Sequence, residues 1–270
     1  MKIHIAADME GISGVVSWEH VGSSNPEYGR FRKLMTADVN AAIEGVFEGG
    51  ADEVTISDGH GSGRNILIEE LDERARLNSG SPSPFSMMQG VGDDVDGVLF
   101  IGYHARAGTP HAILDHTWIG ATTGVWLNGT EVGEIGVNAA VAGHFDVPVI
   151  AISGCRSACA EAATLLGDLE TAPVKVATSR MAAECLPPAV TRELILKAAI
   201  QAVERLKAGE SIAPYKVERP VELGIEFNQS DLADRASMMP GASREGRRVF
   251  FKAADMLEAY WAFRALVRLA

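Results

Sequence analysis

Hydrophobic residues along this chain fall into two rhythms. Short apolar runs at Lys2 to Ala7, Glu53 to Ser57, Asp96 to Tyr103, Val147 to Ser153 and Val174 to Thr178 read as strands of a sheet. The third of these is almost wholly apolar, as expected of a central strand covered on both faces. Between them lie stretches with helical spacing. One opens at Asn25-Pro26 and runs to Glu48, with Leu34, Met35, Val39, Ala42, Ile43, Val46 and Phe47 recurring and Gly49-Gly50 as the stop. Further helices are predicted over Ile66 to Arg76, Glu134 to about His144, Cys155 to Leu166, and Pro187-Pro188 to about Ala208. Gly124 to Gly133 reads as a hairpin with an Asn128-Gly129 turn.

The alternation predicts an α/β fold, a mostly parallel sheet flanked by helices, over residues 1–210. Strands at Glu222 to Phe227 and Arg248 to Lys252 and a last helix, Ala253 to Ala270, predict a smaller C-terminal α+β unit, 211–270, packed on it. That helix carries Met256, Leu257, Tyr260, Trp261, Phe263, Leu266 and Leu269, a set wider than one face. It implies burial on two sides, in part against another subunit.

Composition narrows the class. The chain has 270 residues, 47% of them hydrophobic, enough for one large domain with a smaller companion. A net charge of −12 argues against binding nucleic acid or an anionic membrane. No apolar stretch is long enough to span a bilayer, and His4 and Asp8 interrupt the start where a secretory signal needs an apolar run. Three cysteines, an odd number, suit a reducing cytoplasm, and Cys155 and Cys159 read as structural thiols.

Chemistry gathers at the strand ends. The first strand runs into Asp8-Met9-Glu10-Gly11, and in extended chain residues i and i+2 share a side. Two such carboxylates repel unless a cation sits between them. A lone Asp-x-Glu more often caps a helix or sits in water, but here the second strand runs into Asp58-Gly59-His60 and the third into His104. Ligands in open α/β sheets bind outside the carboxyl ends of the strands. Glu134, opening a helix after the hairpin, extends the set. Three carboxylates and two imidazoles suit zinc, with manganese or cobalt as alternatives, and are more than one open catalytic zinc needs. They suit two metals sharing a carboxylate. Asp58 is either an orienting partner of His60 or a turn residue. His4, His20, His111 and His144 read as structural or surface residues. The chain lacks a G-x-S-x-G elbow, a G-x-G-x-x-G after the first strand, and a P-loop.

Asp8-Met-Glu10-Gly-Ile-Ser-Gly14, Ser57-Asp-Gly-His60, Phe100-Ile-Gly-Tyr-His104-Ala-Arg-Ala107, His116, Val132-Gly-Glu134-Ile-Gly-Val-Asn138 and Asp255-Met-Leu-Glu-Ala-Tyr260 together resemble the D-aminopeptidase family of zinc metallopeptidases, the type encoded with bacterial dipeptide transport. The resemblance implies two zinc ions per subunit, with Asp8 bridging, Glu10 and His60 completing one site, and His104 and Glu134 the other. It implies a catalytic histidine at His116, with His111 a nearby competitor. It implies a ring-shaped homodecamer of two stacked pentamers, and hydrolysis of short peptides with an N-terminal D-amino acid such as D-Ala-D-Ala. The alternatives are a dinuclear hydrolase of L-peptides, other amides or phosphate esters, and a non-catalytic metal- or peptide-binding protein. Few basic residues near the motifs, chiefly Arg64 and Arg106, weigh against a phosphate substrate.

Overall fold

A computed structural model describes residues 1–210 and 212–270. In chain order the elements are β1 (Lys2–Ala7), α1 (Trp18–Val21), α2 (Tyr28–Glu48), β2 (Glu53–Asp58), β3 (Ala75–Asn78), β4 (Gly97–Tyr103), β5 (Thr122–Leu127), β6 (Thr130–Val132), α3 (Glu134–His144), β7 (Val149–Cys155), α4 (Arg156–Leu166), β8 (Glu170–Ser179), β9 (Ala182–Cys185), α5 (Pro188–Lys207), β10 (Val221–Phe227), α6 (Ser230–Ala236), β11 (Ala242–Glu245), β12 (Arg248–Ala253) and α7 (Met256–Leu269).

Seven strands form one sheet in the order β3-β2-β1-β4-β7-β8-β9, parallel except for β9. The chain moves one way from β1 to β2 and β3, then the other way from β4 to β7 and β8. Right-handed crossovers in opposite directions put α2 and α4 on opposite faces of the sheet. α5 packs along α2 and reaches across β7 and β8. Helices on both faces explain why β4 and β7 are buried at every residue. No described helix is long and apolar enough to cross a membrane.

The order reverses between β1 and β4, so a crevice opens at their carboxyl ends. The register brings those ends level. Ala7 pairs with Asp58 on one side and Ile101 on the other. Just beyond, Asp8 N–H donates to Ile101 O, Gly59 N–H to Ala7 O and Gly11 N–H to Gly102 O, each at 2.8 Å. Gly11 allows this closeness, because a Cβ there would lie 2.0 Å from Tyr103 O.

A second, antiparallel sheet has the order β11-β12-β10-β5-β6. Its β5–β6 hairpin turns at Asn128 (φ 48°) and Gly129 (φ 81°), both left-handed as a two-residue hairpin requires. This sheet does not respect the expected division of the chain. The 210/211 boundary falls on Ser211, which lies outside the described residues, and β5 and β6 come from the N-terminal side of it. Antiparallel pairing of β5 with β10 unites the two parts, and Asn128 ties the turn to Glu218 O and Glu222 N–H at 2.8 and 2.7 Å.

The helix expected over Ile66 to Arg76 does not form. A short 3₁₀ turn, Ile68–Glu70, leads into edge strand β3. Asp58 accepts from the Asn65 and Ile66 amides, Asp72 from the Arg74 amide, and Val54 to Ser57 then pair with Ala75 to Asn78. Side-chain turns and a free sheet edge outcompete the helical spacing. Strand β9, helix α6 and strand β11 were not expected from the apolar pattern; their residues are mostly exposed or half-buried. Helix α7 buries Met256, Tyr260, Phe263 and Leu266, while Trp261 and Leu269 stay 48% and 43% exposed in the single chain. Asp255 caps it, accepting from the Leu257 and Glu258 amides at 3.0 Å.

Candidate metal centre

The crevice between β1 and β4 gathers Asp8, Glu10, His60, His104, His116 and Glu134. Asp8, Glu10, His104 and Glu134 are each at most 5% exposed. Asp8 and Glu10 leave the end of β1, His60 the loop after β2, and His104 the end of β4. Glu134 is the first residue of α3, and Gly133 lets that helix end approach closely. A Cβ on Gly133 would lie 2.5 Å from the Arg106 Cβ.

The two oxygens of Asp8 face opposite ways. Oδ1 lies 3.5 Å from His60 Nδ1, and Oδ2 lies 3.3 Å from His104 Nε2. His60 Nδ1 is also 3.1 Å from Glu10 Oε2, and His104 Nε2 is 3.1 Å from Glu134 Oε1. His116 closes the ring of groups, its Nε2 at 3.7 Å from Glu134 and 3.9 Å from Glu10. Ligand atoms of Asp8, Glu10 and His104 lie within 4.8 Å of one another, as do those of His104, His116 and Glu134. His116 therefore belongs to one of the two groups that could hold a metal, whereas His60, expected to bind metal, falls in neither. His111, the competing histidine, is exposed.

Each imidazole is oriented by a backbone carbonyl. His60 Nε2–H donates to Val21 O at 3.0 Å, His104 Nδ1–H to Ala105 O at 3.0 Å, and His116 Nδ1–H to Leu114 O at 2.9 Å. With the ring neutral, as metal binding requires, the remaining nitrogen of each would present a lone pair to the cluster, the arrangement that metal-binding histidines use. None of these carbonyls had a signal in the sequence. Nor did the Trp118 amide, which donates to Glu134 Oε1 at 2.7 Å, or Trp18, whose ring meets His116 edge-on at 5.2 Å. His104 and His116 stack at 4.0 Å.

Asp58 is a turn residue that acts on His60 through the backbone. Its carboxylate accepts from the Asn65 amide and side chain, both at 2.6 Å, and Asn65 Nδ2 also donates to His60 O at 2.7 Å. Asp115 holds the next loop. It accepts from the Gly108 amide and from Arg180 Nε at 2.7 and 2.8 Å. The other histidines lie elsewhere. His4 is inside the sheet, His20 stacks on Phe31 at 3.9 Å, and His144 ends α3.

The electrostatics call for cations. Burial, then the Glu10 charge, pushes the Asp8 carboxyl up. Burial alone would push His60 and His104 down, but Glu10 beside the first and Glu134 beside the second hold both well above the ordinary range. Three buried carboxylates thus depend on their histidines for positive charge. Among the described residues Asp8 Oδ2 and His104 Nε2 have no hydrogen-bond partner although both are buried. Orphaned buried polar atoms are costly, and here a carboxylate oxygen and a ring nitrogen 3.3 Å apart are left without a partner. The donor set, carboxylate oxygen and imidazole nitrogen, suits zinc.

Comparisons with known proteins agree with this geometry. The family model described as peptidase M55, D-aminopeptidase, matches residues 1–265. A D-aminopeptidase of Bacillus subtilis (strain 168) is 40% identical over 272 residues, covering 100% of this chain and 98% of the relative. The solved structure of a Zn-dependent D-aminopeptidase, DppA from Bacillus subtilis, described as a self-compartmentalizing protease, superposes with a TM-score of 0.96. That structure is 38% identical, and the match covers 100% of this chain and 97% of that one. Fold, site and sequence together make this chain a member of the D-aminopeptidase family of peptidases.

Proposed function

We propose that this chain is a zinc-dependent aminopeptidase that hydrolyses short peptides with an N-terminal D-amino acid, D-Ala-D-Ala among them, at a dinuclear site. The observation that carries the dinuclear reading is Asp8, with one oxygen toward His60 and the other toward His104. Asp8 would be shared, Glu10 and His60 would complete one site, and His104 and Glu134 the other. Bound zinc supplies Lewis acidity, lowering the pKa of water toward neutrality and polarising a carbonyl.

The chain's own residues do the rest. The three backbone carbonyls hold the imidazoles so that their free nitrogens face inward. His116 is assigned the catalytic role. Its Nδ1–H is committed to Leu114 O, so Nε2 is the atom that takes a proton and, once protonated, gives it to the leaving amine or donates to the developing oxyanion. Burial, then the charge of His104, pushes its pKa down, which favours a neutral ring able to accept.

The D-peptide preference rests on family membership. Arg106 is drawn to Glu131 at 3.3 Å and Arg180 to Asp115, which weighs against a phosphate ester. Assembly into a homodecamer fits the exposed Trp261 and Leu269 on α7 and the self-compartmentalizing nature of the relative. A cytoplasmic location fits the free cysteines.

The test is amino-acid release from D-Ala-D-Ala and L-Ala-L-Ala, each with and without chelation and zinc restoration. Zinc-dependent cleavage of the D-isomer alone is expected. Cleavage of the L-isomer would discard the stereochemical claim and keep the mechanism. Cleavage of neither, with metal bound, would favour another amide or ester or a binding role.

A further inference from the structure

Lys175 is fully buried on β8, and none of its hydrogen-bond partners is a carboxylate. Its ammonium donates to three backbone carbonyls, Glu10 O at 2.7 Å, Ile12 O at 2.8 Å and Val15 O at 2.6 Å. An ammonium has three N–H donors, and all three are used. A neutral amine has two, and its lone pair would face the third carbonyl. The loop is curled to bring these oxygens together. Ile12 N–H donates to Met9 O and Val15 N–H to Ile12 O, both at 3.2 Å. Convergent carbonyls of this kind are how a backbone holds a bare cation.

The same loop is pinned from α2. Ser13 N–H donates to Asp38 at 2.9 Å, and Ser13 Oγ bonds Asp38 and Thr191. What the loop carries matters for the site. It begins with Asp8 and Glu10, and its continuation holds Trp18 against His116 and Val21 O against His60.

We infer that Lys175 is a tethered internal cation around which the Glu10–Val15 loop is wound, and a positioning residue for the metal centre. The part that concerns metal rests on the dinuclear reading above; the part that concerns the loop does not. Burying an ammonium with no carboxylate in hydrogen-bond contact is expensive even with the Asp38 and Glu10 charges nearby, and packing alone would be served as well by an apolar side chain. The charge is there because the carbonyls of this loop need it.

Two readouts test this on the full chain. Amide hydrogen exchange over residues 8–21 is measured in the chelated protein for wild type, K175M and K175A, both variants with and without ammonium or butylammonium chloride. Zinc affinity is measured on the same proteins by competition with a chelator. K175M is expected to exchange faster in this segment alone, and to bind zinc about 10–100-fold more weakly, the usual cost of losing a group that orients ligands. K175A is expected to regain protection and affinity with the added cation, while K175M, its cavity filled, is not. Should K175M not fold, K175Q gives the same reading. Wild-type protection and affinity in the variants would overturn the inference, as would faster exchange spread evenly over the whole chain. If wild type itself bound no zinc, the dinuclear reading would fail, and exchange over residues 8–21 would still decide the role of the loop cation.

Discussion

His4 on β1 and His104, the residue after the adjacent parallel strand β4, are both buried, at 0% and 2% exposure, yet their surroundings are opposite. His4 sits mid-strand on β1. Its two ring nitrogens meet Thr55 Oγ1 at 3.0 Å and Ser57 Oγ at 3.1 Å, alternate residues on one face of β2. No carboxylate is among these partners, and burial, then the Lys2 charge, pushes its pKa down to about 3. His104 sits at the carboxyl end of β4. One nitrogen is tied to its neighbour's carbonyl, and the other faces Asp8 and Glu134 without a hydrogen-bond partner. Burial alone does not distinguish a structural histidine from a candidate ligand. Position along the strand and an unused nitrogen facing acids do.

The largest expected effect breaks the His104 side. His104→Ala and Asp8→Asn should each lose metal and lower kcat about 10³-fold or more, since several kcal/mol of electrostatic stabilisation disappear. Circular dichroism should stay native. Full activity with bound metal in either variant would refute the assignment. Next comes His116→Ala, expected to keep its metals and lower kcat by about 10²–10⁴. Because its Nε2 lies as near Glu134 as a ligand would, metal analysis of this variant is decisive, and loss of metal would move His116 into the ligand set.

The same contrast explains what was legible in the sequence. The strand runs, their carboxyl ends, the Asn128-Gly129 turn and the major helices follow from local pattern, and so did the gathering of Asp8, Glu10, His60 and His104. Glu134 joined the set from its place at a helix start after the hairpin, and His116 came through resemblance, because a loop histidine carries no spatial signal of its own. The carbonyls of Val21, Leu114 and Ala105 were invisible, as any residue supplies one. Lys175, in Pro173-Val-Lys-Val-Ala177, reads as an ordinary strand lysine; its partners are 160–165 residues away in sequence. Ile66 to Arg76 misled because its spacing is helical while its amides are taken by Asp58 and Asp72.

Smaller effects sharpen the His4 side. His4→Leu should leave metal content and kcat unchanged and cost roughly 1–3 kcal/mol, because Thr55 Oγ1 loses its partner in a buried place. Denaturant unfolding of the chelated protein reads this. Its pH dependence has a definite sign. Folded His4 stays neutral down to about pH 3, whereas the unfolded chain takes up a proton below its ordinary value of 6.5. The unfolded state then binds more protons, so this contribution is intact above pH 6.5 and falls as the solution is acidified, by about 1.4 kcal/mol per pH unit. The stability difference between wild type and His4→Leu should shrink with that slope below pH 6.5 and reverse sign by about pH 4. A constant difference would mean that His4 is charged in the folded protein.

The most direct measurement is the number of zinc ions bound per chain, by native mass spectrometry, in wild type and Asp8→Asn. If the two oxygens of Asp8 serve two metals, wild type holds two and Asp8→Asn loses affinity at both sites together. One metal in wild type, or two held undiminished by Asp8→Asn, would contradict the shared-carboxylate centre.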